Sequence, residues 1–307
     1  MMLRTMFLRM SLFIILAALV LHRPLPAQPS GSTQALSVQY EELTAPQFLQ
    51  AVKQAGGTCV LPFGVLEKHG PHLPLGTDLL DAREVALRAA KQEYTLVYPA
   101  YYFGQIFEAK HQPGTIAYSH ETIWNLLQET CDELARNGIR KIIIMNGHGG
   151  NAHFLRYFCQ AQLEQRKNYA VVLHSPATDP ELAKQVREMR QTTTGGHADE
   201  VETAMMRANR PELVHLEAAD DQSGADQDRL DLPGTFTGIW WYAKYPNHYA
   251  GDGSPATREL GEVVLSGQAA QLAATIRAVK QADNLLELQT RFYDQSEHPA
   301  ETAQPVE

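Results

Sequence analysis

Three short stretches concentrate the side chains that bind metals or move protons. The first, "EKHGPHLPLGTD" (67–78), places two carboxylates and two imidazoles among prolines and glycines. The second, "NGHGGN" (146–151), sets a histidine between glycines, and the third, "GGHADEVET" (195–203), holds one histidine and three carboxylates. This His/Asp/Glu set without cysteine suits Zn²⁺, Mn²⁺ or Fe²⁺ better than copper(I) or an iron–sulfur cluster.

The first stretch carries many ligands where regular structure is sparse. Glu67 and His69 are two positions apart, so they share a face in an extended segment, and a buried Glu67 needs a partner. Asp78 begins a predicted helix, where its carboxylate could instead be a helix cap. The whole set exceeds what one catalytic ion takes, usually three protein ligands plus water. Two ions that share a bridging carboxylate would use the whole set of ligands.

The other two stretches each have an ordinary structural interpretation. A histidine after a strand, such as His148, is usually a polar loop residue. Asp199 and Glu200 are explained as acids in the first turn of a helix, where they complement its dipole. That leaves His197 and Glu202 as the third stretch's candidates for chemistry.

The surrounding elements place the stretches at one sheet edge. Strands are predicted at 58–63, 95–98, 141–145 and 170–174, and helices at 78–92, 121–137 and 152–166. Continuous apolar strands that alternate with helices predict an α/β fold, a mostly parallel central sheet covered by helices on both faces. Ligands bind such sheets at the carboxyl ends of strands, which is where the stretches with Glu67 and His148 begin. A last long helix is predicted to be capped by Ser254 and to continue towards Phe292.

The N-terminus has the order of a secretory signal peptide. Arg4 and Arg9 precede the apolar run 11–21, and Ala27 follows as a small residue before a polar stretch. This order predicts a signal peptide over 1–27 and a periplasmic or secreted protein. An uncleaved anchor is the alternative.

The rest of the chain fits one large domain. Its 307 residues are 44% hydrophobic, which suits one domain or at most two. We expect a lead-in at 28–45, a catalytic domain at 46–294 and a flexible tail at 295–307.

Charge and cysteine content exclude several classes of protein. The formal net charge is −9, and loss of the three arginines in 1–27 would take it to −12. A protein this acidic is a poor partner for nucleic acid or for an anionic membrane once the signal is removed. Cys59, Cys131 and Cys159 lie in apolar segments, which indicates buried small hydrophobes more than a disulfide framework.

Several motifs together resemble the creatininase (creatinine amidohydrolase) family. They run in order across residues 58–290, and together they are far more specific than any one alone. The matching stretches are "GVLEKHGPHLPLGTD" (64–78), "HQPGTI" (111–116), "NGHGGN" (146–151), "HADEVET" (197–203) and "GDGSPAT" (251–257).

The resemblance implies a three-layer α/β/α fold, a two-metal site and a homo-oligomer such as a hexamer. It also implies that activated water hydrolyses a small, non-peptide and often cyclic amide. Glu67, Asp78 and His148 resemble the ligands of one divalent ion. His69 and Asp78 resemble ligands of the other, with Asp78 bridging, and His197 matches the family's catalytic histidine.

One position departs from the family's creatinine-hydrolysing enzyme. That enzyme has a ligating glutamate two positions after the histidine of the NGH motif, where this chain has Gly150. We expect Glu202 to take the role that Gly150 cannot, and creatinine to be a poor substrate.

Further residues are candidates for the substrate pocket. His72 and His111 lie beside the motifs and either line the pocket or make structural hydrogen bonds. Trp240 and Trp241 offer flat apolar surface for a small planar ligand, or are ordinary core or interface aromatics.

Three alternative functions stay open at this point. The first is creatinine hydrolysis itself. The second is phosphoester hydrolysis, since two-metal sites also serve phosphates, although no clear Arg/Lys cluster lies near the motifs. The third is a metal-binding module without turnover.

Overall fold

Within residues 36–175 and 178–302, which the computed structural model describes, the chain forms a parallel sheet of four strands. The predicted signal peptide lies outside the described residues. The strand order is β2-β1-β3-β4. The strands are β1 Thr58–Phe63, β2 Leu96–Val97, β3 Lys141–Asn146 and β4 Ala170–Leu173.

Helices connect the strands and follow the last one. From Leu36 the chain packs as one compact unit, and the predicted domain boundaries inside it stay predictions. None of the described helices is both long enough and apolar enough to cross a bilayer. The helices are α1 Ala45–Gln54, α2 Thr77–Gln92, α3 His120–Arg136, α4 Ala152–Ala161, α5 Pro180–Met189, α6 Glu200–Asn209, α7 Trp240–Lys244, α8 Arg258–Gln281 and α9 Leu285–Glu297.

The two faces of the sheet are covered by different helices, as the predicted three-layer fold requires. Val60 and Ile143 point to one face, where they pack with apolar residues of α2, α6 and α8. Leu61 and Ile144, one position later, point to the other face and pack with α1, α3 and α4. The helices on both faces keep water away from β1, which is buried at every position. This burial explains the continuous apolar sequence of the strand.

The end of the chain differs from its predicted form. The cap assigned to Ser254 is wrong: Thr257 caps α8, its Oγ1 accepting a hydrogen bond from the Leu260 amide at 3.2 Å. The helix also stops at Gln281, and α9 begins at Leu285. Cys59, Cys131 and Cys159, all in the described part of the chain, form no disulfide.

Two glycines let the start of α2 press against the ends of β1 and β3. A Cβ on Gly64 would lie 2.7 Å from the Leu79 amide nitrogen, and one on Gly147 would lie 2.6 Å from the Asp78 carbonyl oxygen. Real side chains do not tolerate such contacts, so glycine is required at both positions. This close approach brings Asp78 between the loops that leave the two strands.

Candidate metal centre

Three ligand atoms from three segments converge above the sheet edge. Phe63 and Asn146 are paired at the ends of β1 and β3, so the loops that follow them run side by side. His148 Nδ1 lies 2.8 Å from Glu67 Oε1 and 3.0 Å from Asp78 Oδ2. Neither oxygen makes a hydrogen bond of normal geometry to any described residue. A divalent cation would satisfy buried carboxylate oxygens of this kind, which are otherwise costly.

The second oxygen of Asp78 faces a different imidazole. Asp78 Oδ1 lies 3.0 Å from His69 Nε2. His69 Nδ1 lies 3.2 Å from the Glu67 carbonyl oxygen, to which it donates, so a bound cation would take the lone pair of Nε2, the nitrogen that faces Asp78. Gly76 is the N-cap residue of α2 and no side chain caps this end, so the helix-cap interpretation of Asp78 is wrong. Its two oxygens instead point at two groups of ligands.

The cluster attracts positive charge strongly. Burial alone would lower the pKa of His69, but Asp78 and Glu67 raise it to about 10. Burial would also lower the pKa of His148, but Glu67 and Asp78 hold that pKa well above its usual value. Burial would raise the pKa of Glu67, but the charge of His148 and hydrogen bonds from His148 and His248 hold that pKa well below its usual value. Paired in this way, the carboxylate of Glu67 stays ionised although it is fully buried, as a metal ligand must.

The third predicted stretch completes the opposite side of the cluster. Ligand atoms of His69, His197 and Glu202 lie within 4.8 Å of one another. The Ala198 amide donates to Glu202 Oε2 at 2.5 Å. Asp199 is the N-cap residue of α6 and accepts from the amides of residues 201 and 202, so it lies just before the first turn that was predicted for it. Glu200 turns away from the cluster and accepts from the amides of residues 191 and 192.

His197 is oriented as a neutral proton acceptor. Its Nε2 donates to the Lys68 carbonyl oxygen at 2.8 Å, which leaves the Nδ1 lone pair open, 3.9 Å from Glu202 Oε2. Burial lowers the pKa of His197 to about 3, although Glu67 opposes the shift. A ring with one nitrogen anchored and the other facing the cluster has the geometry of a general acid–base group.

The space beside Gly150 is occupied by Glu108, which the sequence analysis missed. A Cβ on Gly150 would overlap Glu108 Oε1 and lie 2.5 Å from His148 Nε2. Glu108 Oε1 is 3.6 Å from His148 Nε2, and Gln105 Nε2 donates to Glu108 Oε2 at 3.0 Å. The glycine thus makes room for a carboxylate on the outer edge of the His148 ring.

His248 is a second residue that the sequence analysis missed. It is 1% exposed, and its Nε2 contacts Glu67 Oε2. The indole Nε1–H of Trp241 donates to His248 Nδ1 at 2.8 Å. The one feature of the sequence that could have pointed to His248 is its position just before the "GDGSPAT" motif.

A cavity of about 900 Å³ opens over the cluster. Both tryptophans proposed for the pocket line it, whereas His72 and His111 are not among the described residues that do. His72 Nε2 hydrogen-bonds Thr203 Oγ1 at 2.8 Å, and His111 Nε2 donates to the Pro246 carbonyl oxygen at 3.0 Å. These two histidines therefore make the structural hydrogen bonds that were the alternative. The aromatic residues lining the cavity, besides histidines, are Phe107, Phe154, Phe236, Trp240 and Trp241.

Comparison with known proteins identifies the family. Residues 41–276 match the family model Creatininase, described as creatinine amidohydrolase. The chain belongs to the creatininase family. The creatinine amidohydrolase of Pseudomonas putida is 30% identical over 267 residues, which are 78% of this chain and 96% of that protein. The 3-dehydro-scyllo-inosose hydrolase of Thermotoga maritima is 27% identical over 195 residues, 60% of each chain.

Solved creatininase structures share the fold of this chain, and some of them are named for the metal, zinc or manganese. A creatininase mutant of the Zn–Zn type superposes with a TM-score of 0.68 at 27% identity, covering 80% of this chain and 99% of that one. A creatininase Mn structure gives a TM-score of 0.66 at the same identity and coverage. This member of the creatininase family is a metal-dependent amidohydrolase, and its buried His/Asp/Glu cluster contains groups of residues that could hold a divalent ion.

Proposed function

We propose that the protein holds two divalent ions and hydrolyses the C–N bond of a small non-peptide amide other than creatinine. One ion would be held by Glu67, Asp78 and His148, and the other by His69, Asp78 and Glu202. The observation that carries this proposal is the buried Asp78 carboxylate, whose oxygens lie 3.0 Å from two different imidazoles. A carboxylate between two ligand groups is what a bridged pair of ions requires.

The residues around the ions divide the work of hydrolysis. Bound divalent ions lower the pKa of coordinated water and polarise a substrate carbonyl. Glu67 and Asp78 supply the negative charge that holds the ions. His197 takes a proton at Nδ1 from the attacking water and returns it to the leaving nitrogen, while the Lys68 carbonyl fixes its ring through Nε2.

The cavity favours a substrate larger than creatinine. Pockets of 300–1,000 Å³ typically enclose drug-sized ligands, and this one, at about 900 Å³, lies at the upper end. Its aromatic walls suit a substrate with an apolar or planar portion. Creatinine is a single small ring and would leave much of this volume unfilled.

Two alternatives fit the cavity less well. Phosphoester hydrolysis is disfavoured because no described lysine or arginine lines the cavity, while carboxylates do, and these repel a phosphate. A metal-binding module without turnover would not need His197 with a free Nδ1 beside the ions.

Assays on metal-loaded protein would test the proposal. We would measure ring opening of creatinine and lactams, and amine release from formamides and aryl amides, by the Zn²⁺-, Mn²⁺- and Fe²⁺-loaded enzyme, with Asp78→Asn as control. We expect metal-dependent turnover of a larger amide and slow turnover of creatinine. Fast creatinine turnover would support the namesake activity, and phosphoester turnover the second alternative.

We also infer that the mature protein begins near Gln28, is exported to the periplasm or secreted, and forms a homo-oligomer, with a hexamer as one form. The N-terminal charge and apolar pattern supports export, and the exposed side chains of Phe236 and Ile239 support a subunit interface. The net negative charge of the protein disfavours nucleic acid as a partner. Mass spectrometry of protein from the native host and light scattering would test these inferences. An intact Met1 or a monomer would contradict them.

A further inference from the structure

A buried hydrogen-bonded chain reaches the metal centre from the side of α7. It runs from the Trp241 indole through the His248 ring to the Glu67 carboxylate. We propose that Trp241 and His248 are positioning residues that orient Glu67 towards the ion it shares with Asp78 and His148. The inference rests on the metal site of the proposed function.

The chemistry of the indole fixes the tautomer of His248. Indole Nε1–H only donates hydrogen bonds, so His248 Nδ1, 2.8 Å away, must be the acceptor. The neutral ring then carries its proton on Nε2, the atom that contacts Glu67 Oε2. Trp241 therefore ensures that His248 presents a donor, rather than a lone pair, to the carboxylate.

The two oxygens of Glu67 have separate tasks as a result. Oε2 accepts from His248, whereas Oε1 lies 2.8 Å from His148 Nδ1 and makes no hydrogen bond of normal geometry to a described residue. One oxygen is anchored and the other is left for the ion. Hydrogen bonds to the outer atoms of metal ligands fix their orientation and commonly affect metal affinity.

The backbone at His248 is also unusual. Its φ is +52°, in the left-handed region that few residues other than glycine adopt. The conformation is held because the His248 amide donates to the Tyr245 carbonyl oxygen at 3.0 Å and its carbonyl oxygen accepts from the Gly70 amide at 3.4 Å. An uncommon backbone conformation that places one buried ring against a candidate ligand is typical of a functional constraint.

His248 could instead be a ligand itself, since atoms of Glu67, His197 and His248 also lie within 4.8 Å of one another. In that case Nε2 would have to carry a lone pair and give up its bond to Glu67 Oε2. The bond from Trp241 to Nδ1 opposes that tautomer. The two roles can be separated by replacing the ring with amides of different length.

His248→Gln and His248→Asn form a matched pair. The glutamine amide nitrogen is as many bonds from Cα as Nε2 is, so it can donate to Glu67, whereas the shorter asparagine cannot reach it. Asparagine also tolerates the left-handed backbone, so its failure would not reflect strain. Zn²⁺ affinities of the mature protein, measured by competition with a chromophoric chelator, provide a readout that does not depend on hydrolysis.

We expect His248→Asn to weaken one of two bound Zn²⁺ ions by about 10–100-fold and to leave the other unchanged. His248→Gln should stay close to the wild-type value. Trp241→Phe should weaken the same ion, and should add nothing in the His248→Asn background because the chain is already broken. Full affinity in His248→Asn, or equal loss in His248→Gln, would overturn the positioning role.

NMR of the metal-free protein tests the same chain without any ion. Nitrogen-15 shifts should place the proton of the neutral His248 ring on Nε2, and the Trp241 indole resonance should move in His248→Asn. A proton on Nδ1 would contradict the proposal. If the wild type binds two Zn²⁺ ions and hydrolyses no amide, the proposed function fails while this inference stands. If no ion depends on Glu67, the inference fails.

Discussion

The candidate metal ligands and the residues around them come from two different kinds of structure. Glu67, His69 and His148 lie in loops that directly follow β1 and β3, and Asp78 lies in the first turn of α2. We call these four residues the sheet-edge set. Glu108, Trp241 and His248, the cover set, come from a loop, the five-residue α7 and the loop after it. The sheet-edge set is positioned by strand register, and the cover set by contacts between distant segments.

This difference separates residues that bind the ions from residues that orient the ligands or shape the pocket. Changes in the sheet-edge set should remove ions outright, because these residues supply the ligand atoms. Changes in the cover set should alter how firmly the ligands are held or which substrate fits, since Glu108 and His248 contact ligands from outside and Trp241 holds His248. The following predictions run from the largest expected effect to the smallest.

Asp78→Ala should abolish binding of both ions, and with them the metal-dependent turnover. Its two oxygens face the two ligand groups, so losing this one side chain removes a ligand from each ion. Metal analysis of the purified variant would measure it. Asp81→Asn is the matched control: this buried carboxyl, one turn further along α2, accepts from Asn209 at 2.9 Å and lies outside the cluster. Retention of one ion in Asp78→Ala would contradict bridging.

His197→Ala should keep both ions and lower the rate by about 10²–10⁴-fold, the usual contribution of a positioned acid–base group. His111→Ala is a suitable control, because His111 lies near the motifs but hydrogen-bonds a backbone carbonyl. Steady-state rates on the best amide, with metal content measured in parallel, would check this. An unchanged rate would remove the proton-transfer role of His197.

Glu202→Gln should weaken one ion and lower the rate, whereas Glu200→Gln should leave metal content unchanged. Glu202 is near His69 and His197, while Glu200 bonds backbone amides of another segment. Metal titration of both variants would compare them. If Glu202→Gln binds two ions as tightly as the wild type, the assignment of Glu202 as a ligand is wrong.

Glu108→Gln should produce the smallest effect, a loss of metal affinity or rate of about tenfold, at the low end for residues that orient a ligand. Its carboxylate lies 3.6 Å from the outer nitrogen of His148, so it acts on the ligand and not on the ion. Affinity for the ion held by His148 is the measurement. A loss as large as that of Asp78→Ala would mean that Glu108 belongs with the ligands.

Most of the sheet-edge set could be predicted because its geometry is local. Apolar runs located β1 and β3, and parallel strands end at one edge of a sheet. Asp78 was harder, since the same position allowed a helix cap, and only the close packing permitted by Gly64 and Gly147 decided its role. Ser254 shows the limit of local patterns, because Thr257, three residues later, is the observed cap.

The sequence by itself determined the α/β class, the ligand types and the family, since these depend on apolar periodicity and on motifs of adjacent residues. Only the tertiary structure revealed that Glu108 fills the space beside Gly150 and that Trp241 and His248 reach Glu67. Glu67 and His248 are 181 residues apart in the chain. No local pattern encodes such a contact, because it arises from how a left-handed backbone and a short helix pack over the sheet edge.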